Sequence, residues 1–253
     1  MLCVILLHCG SATAQPTSRQ EHTINALVWF QNSAEMRALY YQAYALAKLR
    51  LDEYLALPRK GKPPAVIVDI DETILDNSPH QTKLIRTNTV FPSYWSEWVD
   101  SAAARALPGA VEFLNYAAAS GVDVFYLSGR TAGELAATLR NLRREGFPQA
   151  MAEHCLFREK ESSKEPRRMK IAESHEIVLL CGDNLNDFLF VFEKRSVADR
   201  FRTTDSLKAE FGKRFIVFPN PLYGDWESAV YNFRPGLTDA QKDSLRKASL
   251  RGF

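Results

Sequence analysis

The 253-residue chain is poor in several features that would have placed it quickly. It has four cysteines, a formal charge of only +2, no internal repeat and no low-complexity tract. It also lacks any apolar run near the ~20 residues that a membrane-spanning helix requires. The near balance of 32 Lys and Arg against 30 Asp and Glu makes no demand for a nucleic-acid polymer or an anionic membrane surface as partner. If the N-terminal leader described below is removed, only Cys155 and Cys181 remain. Two cysteines in strand-like stretches do not make a disulfide scaffold, and each reads as a small buried hydrophobe. What is present is 46% hydrophobic and 25% charged residues, the composition of a soluble globular protein. The length suits one large domain, or a core domain with a smaller appendage.

The N-terminal MLCVILLHCGSATAQ holds a short apolar stretch followed by Ala12-Thr13-Ala14, an A-x-A pattern that predicts export with cleavage before Gln15. Residues 1–14 contain no Lys or Arg, so the usual basic segment is missing and the start codon is open to lying upstream. Cys9, preceded by Leu6-Leu7-His8, offers an alternative: a lipidated cysteine that tethers the protein to a membrane without spanning it. A plain apolar N-terminus of a cytosolic protein is the third reading.

Beyond a polar leader, residues 32–57 place apolar side chains at helical spacing, with Ser33 as N-cap and Pro58 as terminator. Four β-rich runs follow, at 65–70, 122–127, 177–181 and 214–218. Helical patterns at 108–120, 133–145, 164–174 and 184–192 fall between them, so the expected fold is α/β with a doubly wound parallel sheet. Pro108 at a helix start and Gly121 and Gly146 just past helix ends fit that reading. Residues 78–107 break the alternation with aromatics and turn formers, as an inserted cap would, and 238–253 reads as a solvated helix.

In an open parallel sheet, ligands bind beyond the carboxyl ends of the strands. Those ends here read Asp69-Ile70-Asp71-Glu72-Thr73, Ser128-Gly129-Arg130 and Gly182-Asp183-Asn184-Leu185-Asn186-Asp187, with Lys164 opening the helix between the last two. Asp69 and Asp71 project from the same side, and two close carboxylates repel unless a cation or a proton intervenes. Mg²⁺ resolves that conflict, and hard oxygen ligands such as Asp69 and Asp183 suit it. A carboxylate cluster, a hydroxyl and a lysine are the parts that metal-assisted phosphoryl transfer uses.

DIDET, LSGR, SSK and GDNLND, in this order and in these elements, resemble the phosphatases of the haloacid dehalogenase (HAD) superfamily. ETILDNSPH, YWSEWVD, LPGAVEF, SSKEPRR, EIVLLCGDNLNDF and FPNPLYGDWE look like the bacterial class C acid phosphatases, in particular the lipoprotein 5′-nucleotidase branch. The likeness extends to the leading QNSAEMRALYYQAYALAK helix. It implies a HAD-like core with an N-terminal helix and a small, largely helical cap. The leader would be residues 1–14 and the single phosphatase domain 15–253, with cap elements at about 22–60 and 78–107.

The resemblance also implies a division of labour. Asp69 would be the nucleophile and Asp71 the acid and then the base, which entails an acidic pH optimum. Mg²⁺ would be held by the Asp69 carboxylate, the Asp71 backbone carbonyl and the Asp183 carboxylate, with Asp187 behind them. Ser128 and Lys164 would bind the phosphoryl group, and Trp95 and Tyr223 would sandwich a nucleobase, while Trp98 faces the core. Arg130 reads as a structural ion-pair residue and His80 as a structural hydrogen-bonding one. His80 stands where relatives often carry Tyr, and SGR departs from the TNR form found in some relatives.

The expected protein is an exported, Mg²⁺-dependent acid phosphatase acting on small phosphomonoesters, with nucleoside 5′-monophosphates preferred. Its expected location is the periplasm or the outer membrane, and its oligomeric state, homo-oligomer included, is open. A broad-range phosphomonoesterase without nucleotide preference is the competing enzyme. A non-catalytic storage or binding protein, as some plant relatives of the fold are, predicts a damaged nucleophile, whereas Asp69, Asp71, Lys164 and Asp183 are all intact.

Overall fold

The structure, a computed structural model, describes residues 19–58 and 61–253. The leader, its cleavage site and Cys9 lie outside the described residues. The helices are α1 (Ile24–Asn32), α2 (Ala34–Leu55), α3 (Ser78–Thr87), α4 (Trp95–Ser101), α5 (Ala110–Ala119), α6 (Leu135–Glu145), α7 (Glu165–Ser174), α8 (Val197–Ser206), α9 (Asp225–Val230) and α10 (Asp239–Ala248). The strands are β1 (Pro64–Val68), β2 (Leu75–Asp76), β3 (Arg105–Ala106), β4 (Asp123–Thr131), β5 (Cys155–Arg158), β6 (Glu176–Gly182) and β7 (Phe215–Val217). None of these helices is long and apolar enough to cross a membrane.

Five strands form one parallel sheet in the order β5-β4-β1-β6-β7. β1, PAVIV, is buried along its whole length, as a central parallel strand covered on both faces must be. Because side chains alternate across a strand, its residues divide between two cores. Val66 and Val68 join Val124, Tyr126, Leu179 and Cys181 beneath α2 and α5, where Tyr40, Tyr44, Leu51, Phe113 and Leu114 pack. Ala65 and Ile67 join Phe125, Leu127, Leu180 and Phe215 on the opposite face, with Ile171 of α7 and Phe188. Both cysteines past the leader are free and buried, Cys155 in β5 and Cys181 in β6.

The expected alternation of strands and helices holds, with three corrections. The helix expected at 32–57 is α2, and a further helix, α1, precedes it. Ser33 caps α2, its hydroxyl accepting from the Met36 N–H at 3.0 Å, but its extended backbone ends α1, whose Leu27 and Phe30 are also buried. The helix expected at 184–192 is a pair of 3₁₀ turns, Leu185–Asp187 and Phe190–Phe192. Asn184 and Asp187 cap each other there, which turns Asp187 inward, and buried Phe188 and Phe192 pin the rest. The four-residue β5 and the hairpin of β2 with β3 were too short to leave a periodic signal. That hairpin pairs Leu75 with Ala106, and the segment between its strands carries α3 and α4.

Candidate active site

Asp69 extends the central ladder by one bond, its N–H donating to the Cys181 carbonyl at 2.9 Å. The chain then folds into a tight loop: the Ile74 and Leu75 N–H groups both donate to the Ile70 carbonyl, at 3.0 and 2.9 Å, and Glu72 adopts a left-handed φ of 58°. Two tyrosines of α2 hold the loop from the core side. The Tyr40 hydroxyl donates to the Glu72 carbonyl, and that of Tyr44 to the Thr73 carbonyl at 2.8 Å. The Glu72 side chain is fully buried, taking the Asn77 N–H at 2.9 Å and the Tyr223 hydroxyl. Burial, with Asp71 and Asp183 adding to it, pushes the Glu72 carboxyl well above the usual range. Glu72 is thus a structural strut of the loop.

β1 and β6 together present three acids at their carboxyl ends. Asp69, Asp183 and Asp187 each offer a carboxylate oxygen within 4.8 Å of the others. Asp187 can fold under the end of β6 because Gly182 has no side chain; a Cβ there would collide with the Asp187 side chain. The Lys164 ammonium bridges Asp69 and Asp187, at 2.6 Å from the latter. Asp183 accepts from the Thr73 hydroxyl and the Asn220 amide, both at 2.9 Å. Burial, then repulsion from Asp187, raises the Asp183 carboxyl to about 7. Asp69 is also held well above its ordinary value, by burial first and by its acidic neighbours, against the pull of Lys164. Burial alone would favour the neutral Lys164 amine; Asp187 and Asp69 outweigh it and hold the group above its usual value. One ammonium among three carboxylates, Asp69 and Asp187 buried and Asp183 half-buried, leaves an excess of negative charge carried entirely by hard oxygen donors. That donor set fits a hard divalent cation.

Asp71 lies apart from this cluster. Arg130 pairs with it at 2.8 Å, Asn77 donates to it at 2.8 Å and the Ser128 hydroxyl stands 3.3 Å away. β4 runs four residues past the expected end, and so carries Ser128 and Arg130 to this point. The Arg130 guanidinium lies 5.4 Å from the centre of the half-buried Trp95 ring. Trp95 in turn meets His80 and Phe91 edge-on. Trp98 packs against the core as expected, while its indole N–H donates to Asn77 at 2.7 Å. His80 is buried, with Nε2 at 2.9 Å from the Ser93 carbonyl and Nδ1 unpartnered, and burial lowers its pKa.

The expected site residues therefore gather around one loop: Asp69, Lys164, Asp183 and Asp187 on one side, Asp71 and Ser128 on the other. Trp95 and Tyr223 reach it separately, through Arg130 and Glu72. Tyr223 packs half-buried against the core. Sequence reasoning missed Asn77 and Asn220, which hydrogen-bond Asp71 and Asp183, and Glu72, which braces the loop. Arg130 does make an ion pair, and its partner is Asp71.

A parallel sheet ending in a buried acid cluster, a bridging lysine and a hydroxyl is the frame of a metal-assisted phosphoryl-transfer enzyme. The chain belongs to the HAD superfamily, subfamily IIIB (acid phosphatase), whose sequence pattern matches residues 7–226. The class C acid phosphatase from Bacillus anthracis is 44% identical, superposes with a TM-score of 0.90, and is matched over 99% of its length and 93% of this chain. Its tungstate-bound form gives 46% identity and a TM-score of 0.89, over 98% of that chain and 92% of this one. Among curated relatives, the stem 28 kDa glycoprotein of Glycine max is 29% identical over 167 residues, which cover 58% of it and 62% of this chain. A stem 31 kDa glycoprotein of the same plant is 29% identical over 133 residues, or 45% of its length. The chain thus spans only about half the length of the curated relatives it matches.

The acid cluster has a measurable signature. With Asp183 at about 7 in the fold against an ordinary 3.8, the folded chain keeps a proton that the unfolded chain releases between those values. Its stabilising contribution is complete below about pH 4 and is lost as pH rises through 7. In melts of EDTA-treated protein, added Mg²⁺ should raise Tm more near pH 7.5 than near pH 5; a larger gain at pH 5 would count against this seat for the cation.

Proposed function

We propose that the chain is an exported, Mg²⁺-dependent acid phosphatase that hydrolyses small phosphomonoesters through an aspartyl-phosphate, with nucleoside 5′-monophosphates preferred. The observation that carries this reading is the contrast between two aspartates of one loop. Asp69 is buried against Lys164 beside Asp183 and Asp187, and Asp71 stands free of them in the grip of Arg130. Environments that differ in this way assign different duties to chemically identical groups.

In the first half-reaction an Asp69 carboxylate oxygen bonds to phosphorus while the bond from phosphorus to the ester oxygen breaks, and Asp71 gives its proton to that oxygen. In the second, a water oxygen bonds to phosphorus, its proton passes to Asp71, and the bond to Asp69 breaks to release phosphate. Ser128 and Lys164 hold the phosphoryl oxygens throughout. The Asp69 and Asp183 carboxylates and the Asp71 carbonyl, with Asp187 supporting, would hold Mg²⁺, whose positive charge would offset that of the phosphoryl group. The tungstate-bound relative supports the reading, since tungstate is a tetrahedral oxyanion like phosphate.

We take residues 15–253 as one catalytic unit after a leader of 1–14, with cap elements at about 22–60 and 78–107, the latter bringing α3 and α4 to the leaving-group side. Trp95, half-buried and backed by Arg130, supports a nucleobase platform there. Tyr223 favours the broader reading, because its ring packs on the core and its hydroxyl is engaged by Glu72.

Asp69→Asn should lower turnover of every substrate by roughly a thousandfold or more, measured as phosphate release; undiminished activity overturns the mechanism. Trp95→Ala should raise KM for a nucleoside 5′-monophosphate by about 5- to 150-fold, the equivalent of ~1–3 kcal/mol of stacking, and leave 4-nitrophenyl phosphate little changed. Equal effects on both substrates would establish the broad-range enzyme. Intact mass of the protein made in a bacterial host should show a chain beginning at Gln15, or one lipidated at Cys9; a cytosolic chain that retains Met1 would exclude export.

A further inference from the structure

The buried arginine of the LSGR turn has no part in the two half-reactions as written. Its side chain is only 2% exposed, against 19% for the Asp71 side chain that it grips. Nε and Nη2 of Arg130 both donate to Asp71 Oδ1, at 3.0 and 2.8 Å, and Nη1 donates to the Thr138 hydroxyl at 2.9 Å. Asn77 Nδ2 brings a third donor to the same Oδ1, at 2.8 Å. Asp71 Oδ2 has only longer contacts, 3.3 Å each, to Arg130 Nε and the Ser128 hydroxyl. A carboxylate oxygen has two lone pairs. Oδ1, with three N–H donors on it, has none to spare for a proton, so a proton on Asp71 sits on Oδ2.

We propose that Arg130 is a positioning residue that makes Asp71 single-ended: it occupies Oδ1 and presents Oδ2 as the atom that gives the proton to the departing ester oxygen and later takes one from water. This rests on the reading of Asp71 as acid and base. The clamp is itself held by packed elements and not by a mobile surface chain. The Thr138 hydroxyl, on α6, donates onward to the Glu134 carbonyl at 2.8 Å, the Arg130 N–H donates to the Ser128 hydroxyl at 3.0 Å, and Trp95 lies over the guanidinium. A lysine could supply the charge but not the planar fork that saturates one oxygen.

The prediction separates positioning from a merely structural ion pair. A proton donor matters where the leaving group is poor, and kcat/KM covers only the steps up to its departure. Arg130→Lys should therefore lower kcat/KM for glycerol 2-phosphate, a poor leaving group, by roughly a hundredfold, and for 4-nitrophenyl phosphate by less than about tenfold. Asp71→Asn, assayed in parallel, should show the same selectivity. If Asp71→Asn impairs both substrates equally, the acid and base reading fails and takes the proposal with it. If Asp71→Asn is selective and Arg130→Lys is not, the proposal alone is overturned. Should Arg130→Lys not fold by circular dichroism, Thr138→Val decides, since it removes the Nη1 acceptor without changing charge: a selective loss of the same sense, smaller in size, supports the clamp, and a uniform loss or none refutes it.

Discussion

Repulsion between closely placed carboxylates is the constraint from which the rest of the site follows. Asp69, Asp183 and Asp187 are brought within one ion's reach at the end of a fully buried strand, where the medium screens them poorly. Left alone they would push the strand ends apart or take up protons. Lys164 relieves part of that strain from the N-cap of α7, and Thr73 and Asn220 fix which oxygens of Asp183 point where. Even the missing side chain of Gly182 belongs to this arrangement, since it lets Asp187 come in under β6. The loop that carries Asp69 is anchored by tyrosines from α2, so the long N-terminal helix is part of the site's foundation.

A second electrostatic pole stands beside the first. Asp71 is two residues from Asp69, yet its neighbours are an arginine, an amide and a hydroxyl. The strand ends at Val68, and Asp71 already belongs to the loop that turns at Glu72. Alternation along a strand would have kept both carboxylates in a single field. On the function proposed above, these two surroundings serve the acid and the nucleophile of one reaction.

Much of this was legible in the sequence because it rests on long or locally encoded signals. The run ending in DIDET announces a buried strand and its acids together, and Lys164 and GDNLND fall where strand-and-helix alternation puts them. The rest depended on distance in space. No spacing rule joins Arg130 to Asp71 across 59 positions, or Asn220 to Asp183 across 37. Asn184 to Phe192 carries helical spacing, yet reciprocal capping by Asn184 and Asp187 turned it into 3₁₀ turns, a case of a local polar contact overriding a periodic apolar pattern. Tyr223 shows the opposite difficulty: a motif named the residue, while its surroundings were set by a glutamate 151 positions earlier.

The sheet order carries one more implication. β1 is hydrogen-bonded to β4 on one side and to β6 on the other, pairing Ala65 with Asp123 and with Ile177. Asp69, Ser128 and Asp183 therefore become neighbours only when segments far apart along the chain have found each other, the kind of contact that forms late and at high entropic cost. No contiguous portion shorter than the stretch from the first of these strands to the third holds a whole site. A chain still growing through that stretch, or cut within it, thus holds no complete site, and turnover begins only once the sheet has closed around its middle strand.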